Sequence, residues 1–335
     1  MKARAFVAVI AAAMSLCACA PTLQQAARPG AAFAGPRLDP QDFVSFDGAR
    51  LGLTRWDAHG EPWAVIVGVH GMDDYANAFH LAAPYWASRG VTTLAYDQRG
   101  FGRSPGRGLW APDSILTEDL RTIVGLAHAR WPHALIAVAG ESLGGAVAIE
   151  AFASDRPPPA DRLVLLAPAV WGWTEQPLDY RAALWAADRF APGKVFNPPD
   201  WLVRKVRPTD NRTELRAMSE DPLMTSGARS DALAGLVTTM QRGQDEIGEV
   251  RVPLLYLHGE NDAIIPRSAA YHAVARLPPS ARTADYAQGY HLLTRDLDGP
   301  IVWRDVLAFL RDPGAPLPSG APPIPRASPH PRPHR

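Results

Sequence analysis

The chain has 335 residues, 47% of them apolar and 20% charged, which is enough to bury a large core and unlike a disordered protein. Its 34 basic and 34 acidic residues cancel, so no basic stripe points to nucleic acid and no acidic run points to a cationic partner. Both cysteines, Cys17 and Cys19, stand at the extreme N-terminus. The folded body therefore has neither a disulfide nor a cysteine-based metal site.

Lys2 and Arg4 form a basic head, followed by an apolar run from Ala5 to Leu16 too short to span a membrane. The sequence Leu16-Cys17-Ala18-Cys19 that follows resembles a bacterial lipoprotein signal. It implies removal of residues 1–18 and a lipid on Cys19, with the protein held at a membrane of the cell envelope; ordinary secretion is the alternative. Residues 19–41 are Ala- and Pro-rich without periodicity and read as a tether.

From Asp42 regular elements are predicted. Phe43–Phe46 and Leu51–Trp56 alternate around Asp47-Gly48, a hairpin signal. Trp63–Val69 is a continuous apolar run, hence a strand buried on both faces, and it ends in His70-Gly71-Met72. Helical spacing over Phe79–Ser88 precedes a second buried strand, Val91–Tyr96. The Gly-rich loop 97–104 lacks both the glycine order and the lysine of a phosphate loop. A helix over Ser114–Arg130 leads to the strand Leu135–Ala139.

At that strand's end stands Gly140-Glu141-Ser142-Leu143-Gly144, followed by Gly145 and a buried helix. A G-x-S-x-G between strand and helix is the setting of a nucleophile elbow. The tight turn strains the central residue and lifts its side chain clear of the sheet, and bare glycines let the backbones pass. Ser142 is thereby the candidate nucleophile.

Another buried strand, Arg162–Ala167, comes next. From 171 to 249 the pattern changes to short helical stretches with Trp171, Trp173, Trp185 and Trp201 and no buried strand, as an insertion would look. Alternation resumes with Val252–Leu257, a helix near Ala269–Arg276, a strand near Arg282–Tyr286 and a helix over Ile301–Leu310. This argues a mostly parallel, doubly wound α/β sheet. Residues 312–335, rich in proline, read as a disordered tail; nine of the last 23 residues are Pro.

A serine hydroxyl is a poor nucleophile until a base takes its proton and a carboxylate orients that base. After the strand ending at Leu257 comes His258-Gly259-Glu260-Asn261-Asp262, and after the next strand Gly289-Tyr290-His291. Asp262 and His291 are thus the expected partners, in the order Ser, acid, His. Glu260 competes with Asp262. His258 reads as a core imidazole, His272 as a surface residue, and His70 as part of the loop that would hold an oxyanion.

The chain from about Asp42 to Leu310 resembles the α/β-hydrolase branch that includes monoacylglycerol lipases and lysophospholipases. The matching blocks are HGM at 70–72, YDQRGFGRSPGRG at 96–108, GESLGG at 140–145, HGENDAIIP at 258–266 and YHLLTRD at 290–296. The resemblance implies an α/β-hydrolase fold in which 42–170 and 250–311 make the core and 171–249 a helical cap. It also implies an oxyanion hole from the Met72 and Leu143 amides. The expected activity is hydrolysis of a small-molecule acyl ester or lipid with no metal or organic cofactor. An aminopeptidase, an acyltransferase, a small-ester esterase and a non-catalytic lipid binder share these features and stay open.

Overall fold

The computed structural model describes residues 23–197 and 206–326. The leader, Cys19, the start of the tether, Trp201, Leu202 and the last nine residues of the tail lie outside the described residues.

Nine strands form one sheet: β1 (Arg37–Leu38), β2 (Asp42–Val44), β3 (Arg50–Trp56), β4 (Ala64–Val69), β5 (Val91–Tyr96), β6 (Leu135–Glu141), β7 (Arg162–Leu166), β10 (Leu254–Gly259) and β11 (Arg282–Tyr286). Their spatial order is β1-β2-β3-β5-β4-β6-β7-β10-β11. The first three run antiparallel to their neighbours, and the six from β5 to β11 are parallel. The predicted hairpin turns at Gly48, whose φ of +83° favours glycine.

The continuous apolar runs are explained by what covers them. In β4 every residue is buried, with Val65, Val67 and Val69 in one core and Ala64 and Ile66 in the other. Helices α2 (Asp113–Arg130), α3 (Leu143–Ala153) and α7 (Arg267–Arg276) cover the first face through Leu120, Ile123, Val147 and Val274. Helices α1 (Ala82–Ala87) and α8 (Gly299–Arg311) cover the other through Trp86, Val306 and Phe309. Alternate side chains serving opposite cores is the signature of a doubly wound sheet. The single helix expected over 79–88 divides instead into a 3-10 turn, Ala76–Phe79, and α1.

Between β7 and β10 lie α4 (Leu178–Phe190), α5 (Arg212–Glu220) and α6 (Ser230–Glu246), with a two-residue ladder of β8 (Val195–Phe196) and β9 (Ala228–Arg229). Helix α6 packs on α3, directly behind the elbow, whereas α4 has no buried residue.

Two sequence expectations are corrected. The supposed tether lies on the body from Leu23 onward. Gln24 donates from its backbone to Trp110 O (2.8 Å) and from its side chain to Leu109 O (2.8 Å), and Ala27 N donates to Asp47 (2.7 Å). The Pro-rich tail is likewise ordered to residue 326. Asp285 N donates to Pro322 O (2.9 Å), Ile324 N donates to Thr283 Oγ1 (2.9 Å), and Ile324 is buried. Lacking amide hydrogens, prolines still offer carbonyls, and these cap the open edge of β11.

Candidate active site

Ser142 stands at the N-cap of α3 with φ 51° and ψ −118°, a conformation costing about 1–3 kcal/mol unless its surroundings impose it. Here they do. Ser142 N donates to Leu166 O (3.0 Å), while Ser142 O accepts from Gly145 N (2.9 Å) and Ala169 N (2.9 Å). A Cβ on Gly144 would lie 2.1 Å from Val69 O, and one on Gly140 would lie 2.6 Å from Gly144 O. The turn therefore closes only with glycine at both places. It leaves the serine side chain at the carboxyl end of β6, beside the first-turn amides of α3, which an α-helix leaves unpaired.

The loop after β4 abuts the same serine. A Cβ on Gly71 would lie 3.1 Å from Ser142 Cβ, a close fit that would press on the serine. His70 fixes that loop. Its ring accepts from Gln98 N at Nε2 (2.8 Å) and faces Gly71 O at Nδ1 (2.7 Å), which puts the proton on Nδ1. Complete burial keeps the His70 pKa below that of an ordinary histidine, despite Asp74 nearby, so the ring is a neutral brace. The half-buried Met72 follows, lining a small cavity with Phe101, Trp110, Thr225 and Ala232.

His291, 3% exposed, follows β11, and Asp262 follows β10; His291 Nδ1 lies 2.8 Å from Asp262 Oδ2. The other carboxylate oxygen accepts from Ile264 N (2.7 Å) and Ile265 N (3.0 Å). Burial opposes the charge on Asp262, but His291 and these amides hold its pKa below the ordinary value. For His291 burial pulls downward, and Asp262 followed by Glu141 outweighs it, leaving the pKa above that of an ordinary histidine. Glu260 faces Arg267 (3.6 Å). His258 pairs with Asp285 (3.0 Å), and the half-exposed His272 pairs with Glu175 (2.6 Å). Of the competing residues, Asp262 is the one against His291.

One group was not legible beforehand. Arg295, 1% exposed, donates to Glu141 (2.7 Å) in the elbow and to Asp74 (2.6 Å) beyond Met72. The available signal was Glu141 itself: a carboxylate ending a wholly apolar strand needs a buried cation, and the 290–296 block carries one.

This fold and this arrangement are those of the α/β-hydrolases. The Hydrolase_4 family, described as serine aminopeptidase S33, matches residues 60–298, and the chain belongs to it. It is 27% identical to a monoacylglycerol lipase of Mycolicibacterium smegmatis over 271 residues, 80% of this chain and 95% of that protein. It is 25% identical to a monoglyceride lipase of Rattus norvegicus, covering 81% of this chain and 89% of the relative. Among solved structures, a soluble variant of the Saccharomyces cerevisiae monoglyceride lipase superposes with a TM-score of 0.67 at 18% identity, over 87% of this chain and 98% of that one. The monoacylglycerol lipase of Paleococcus ferrophilus gives 0.63 at 22% identity, over 78% and 98%.

Proposed function

We propose that this protein is a serine hydrolase that cleaves carboxylic esters of the monoacylglycerol or lysophospholipid type, with Ser142 as nucleophile, His291 as base and Asp262 orienting it. The observation that carries the reading is the 2.8 Å His291–Asp262 pair, on the loops after β10 and β11, at the carboxyl ends of the parallel strands, where the strained Ser142 also stands.

The chemistry follows from the proton positions. Asp262 accepts the Nδ1 hydrogen, which leaves His291 Nε2 free to take the Ser142 proton as Oγ attacks the ester carbonyl. The Met72 and Leu143 amides hold the oxyanion, and His291 returns the proton to the leaving alcohol. Water, deprotonated by the same nitrogen, then attacks the acyl-enzyme and releases the acid.

Two observations support a lipid substrate. Relatives of similar length are monoacylglycerol lipases. The cap helix α4 also turns Leu178, Tyr180, Trp185 and Phe190 to solvent, with Leu178 76% and Trp185 62% exposed. An exposed apolar patch of this kind marks an interaction surface, and a lipid aggregate suits it. Trp171 and Trp173 instead pack against the core, and Trp173 Nε1 bonds Thr238 (3.1 Å). No helix among the described residues is long and apolar enough to cross a membrane. We assign membrane attachment in the cell envelope to a lipid on Cys19. A Cys19→Ser variant should leave the membrane fraction; unchanged fractionation contradicts this assignment.

Substrate class is tested by kcat/KM for p-nitrophenyl esters from acetyl to palmitoyl, beside aminoacyl anilides. A rise with chain length is expected, since each buried methylene contributes about 0.8 kcal/mol. A peak at acetyl moves the reading to a small-ester esterase, and faster anilide cleavage moves it to an aminopeptidase.

A further inference from the structure

Arg295 and its partners connect every loop on which the proposed chemistry depends. Arg295 stands four residues after His291, Glu141 immediately before Ser142, and Asp74 two residues after Met72. All three are at least nine-tenths buried. One guanidinium nitrogen, Nη2, donates both to Asp74 Oδ2 (2.6 Å) and to Glu141 Oε1 (2.7 Å). The other, Nη1, lies 3.8 Å from Glu214 Oε1 on the cap helix α5. The Arg295 carbonyl accepts from Thr209 Oγ1 (3.3 Å) and Asn211 Nδ2 (3.2 Å), and Leu292 N donates to Pro208 O (2.8 Å). Cap, elbow, oxyanion loop and histidine loop thus meet on a single side chain.

We propose that Arg295 is a positioning residue that clasps the nucleophile elbow, the oxyanion loop and the histidine loop in their reactive arrangement, with Glu141 as its partner in the elbow. The proposal rests on the serine-hydrolase reading above. A core filler would have its polar atoms satisfied. Here Arg295 Nε and Glu141 Oε2 are buried without a partner, and one cation faces three carboxylates. An unbalanced buried cluster is a poor way to gain stability, so its value lies in where it holds its neighbours.

The clasp also has an electrical consequence. The charged groups facing His291 are Asp262, Glu141 and Arg295. Behind Arg295 stand Asp74 and Glu214, and His80 lies 3.4 Å from Glu214. Glu141 favours the protonated imidazole and Arg295 opposes it. Since the base must be neutral, removing the Glu141 charge lets His291 work at lower pH. Removing Arg295 leaves Glu141 and Asp74 uncompensated and confines activity to higher pH.

The test uses the full chain, with Glu141→Gln, Arg295→Lys and Arg295→Met compared in p-nitrophenyl butyrate hydrolysis across pH. His291 is also titrated by NMR of labelled histidine rings, which needs no turnover. Glu141→Gln is expected to move the acid limb of kcat/KM and the His291 titration to lower pH. Arg295→Lys, keeping the charge but losing the planar fork, leaves the limb in place and lowers kcat about tenfold. Arg295→Met moves the limb upward and lowers kcat about a hundredfold, with KM changed only a few-fold. Should Arg295→Met fail to fold, the other two variants decide. The proposal is overturned if Glu141→Gln leaves the His291 titration unmoved, or if Arg295→Lys loses stability while kcat per folded molecule stays at wild type. If the wild-type chain cleaves no ester, the functional reading fails alone, and the titration still judges the clasp.

Discussion

Among the described residues two buried histidines are each held by an aspartate, and their surroundings differ. His291 and Asp262 come from loops beyond the carboxyl ends of their strands, whereas His258 and Asp285 sit within β10 and β11 and are neighbours across the sheet. Asp262 meets its imidazole at 2.8 Å with backbone amides on its other oxygen. Asp285 meets His258 at 3.0 Å and also receives Arg267 (3.3 Å) and the Tyr271 hydroxyl (3.4 Å). His258 Nε2 is buried without a partner, so no substrate proton reaches it. A histidine–aspartate contact is therefore not a catalytic pair by itself. We propose that it becomes one at the carboxyl ends of the parallel strands, where the loops of His291 and Asp262 lie on the same side of the sheet as the elbow that carries Ser142.

The largest effect separates the two pairs outright. His291→Ala should lower ester turnover about a million-fold, as loss of a triad base does elsewhere. His258→Ala should keep kcat/KM within a few-fold but lower unfolding stability by about 2–3 kcal/mol, through a buried cavity and a carboxylate oxygen left without its imidazole. Parallel turnover assays and thermal melts check both, and equal losses of activity would erase the distinction.

Next come the carboxylates. Asp262→Asn removes the acceptor that fixes the His291 tautomer and should cost about ten-thousand-fold in kcat. Asp285→Asn and Glu260→Gln should stay within about tenfold of wild type. If Glu260→Gln is inactive while Asp262→Asn turns over normally, Glu260 takes over the role assigned to Asp262.

A pH profile sharpens the comparison at smaller cost. The His291 pKa is raised above 6.5, chiefly by Asp262 against the opposing pull of burial. A raised pKa means that the neutral base is already lost at higher pH than usual as pH falls. The acid limb of kcat/KM should accordingly lie above that of an ordinary histidine, shift downward in residual Asp262→Asn activity, and stay unmoved in Asp285→Asn. The smallest effect lies away from both pairs. Trp185→Ala on the exposed α4 should leave melting unchanged and reduce kcat/KM several-fold for palmitoyl esters but not acetyl ones.

How far the sequence reaches follows the same division. Strands β5 and β11 carry the bounds expected of them, β5 because a strand buried at every position reads as one continuous run. The elbow was legible because glycines at 140 and 144 are forced by contacts under 3 Å, and such requirements show in local sequence. The Arg295 cluster was not, since Glu141 and Arg295 are 154 positions apart and no local pattern relates them. Gln24 and Pro322 escape a sequence reading for another reason: they dock through backbone groups and, at Gln24, one side-chain amide, which leave no hydrophobic period to detect.

Activation of Ser142 as a nucleophile is read out by a fluorophosphonate probe followed by peptide mass spectrometry on the full chain. One phosphonylated peptide is expected, the one carrying Ser142, formed in wild type and in His258→Ala and absent in His291→Ala. No adduct in the wild type, or an adduct on another serine that persists in Ser142→Ala, would contradict it.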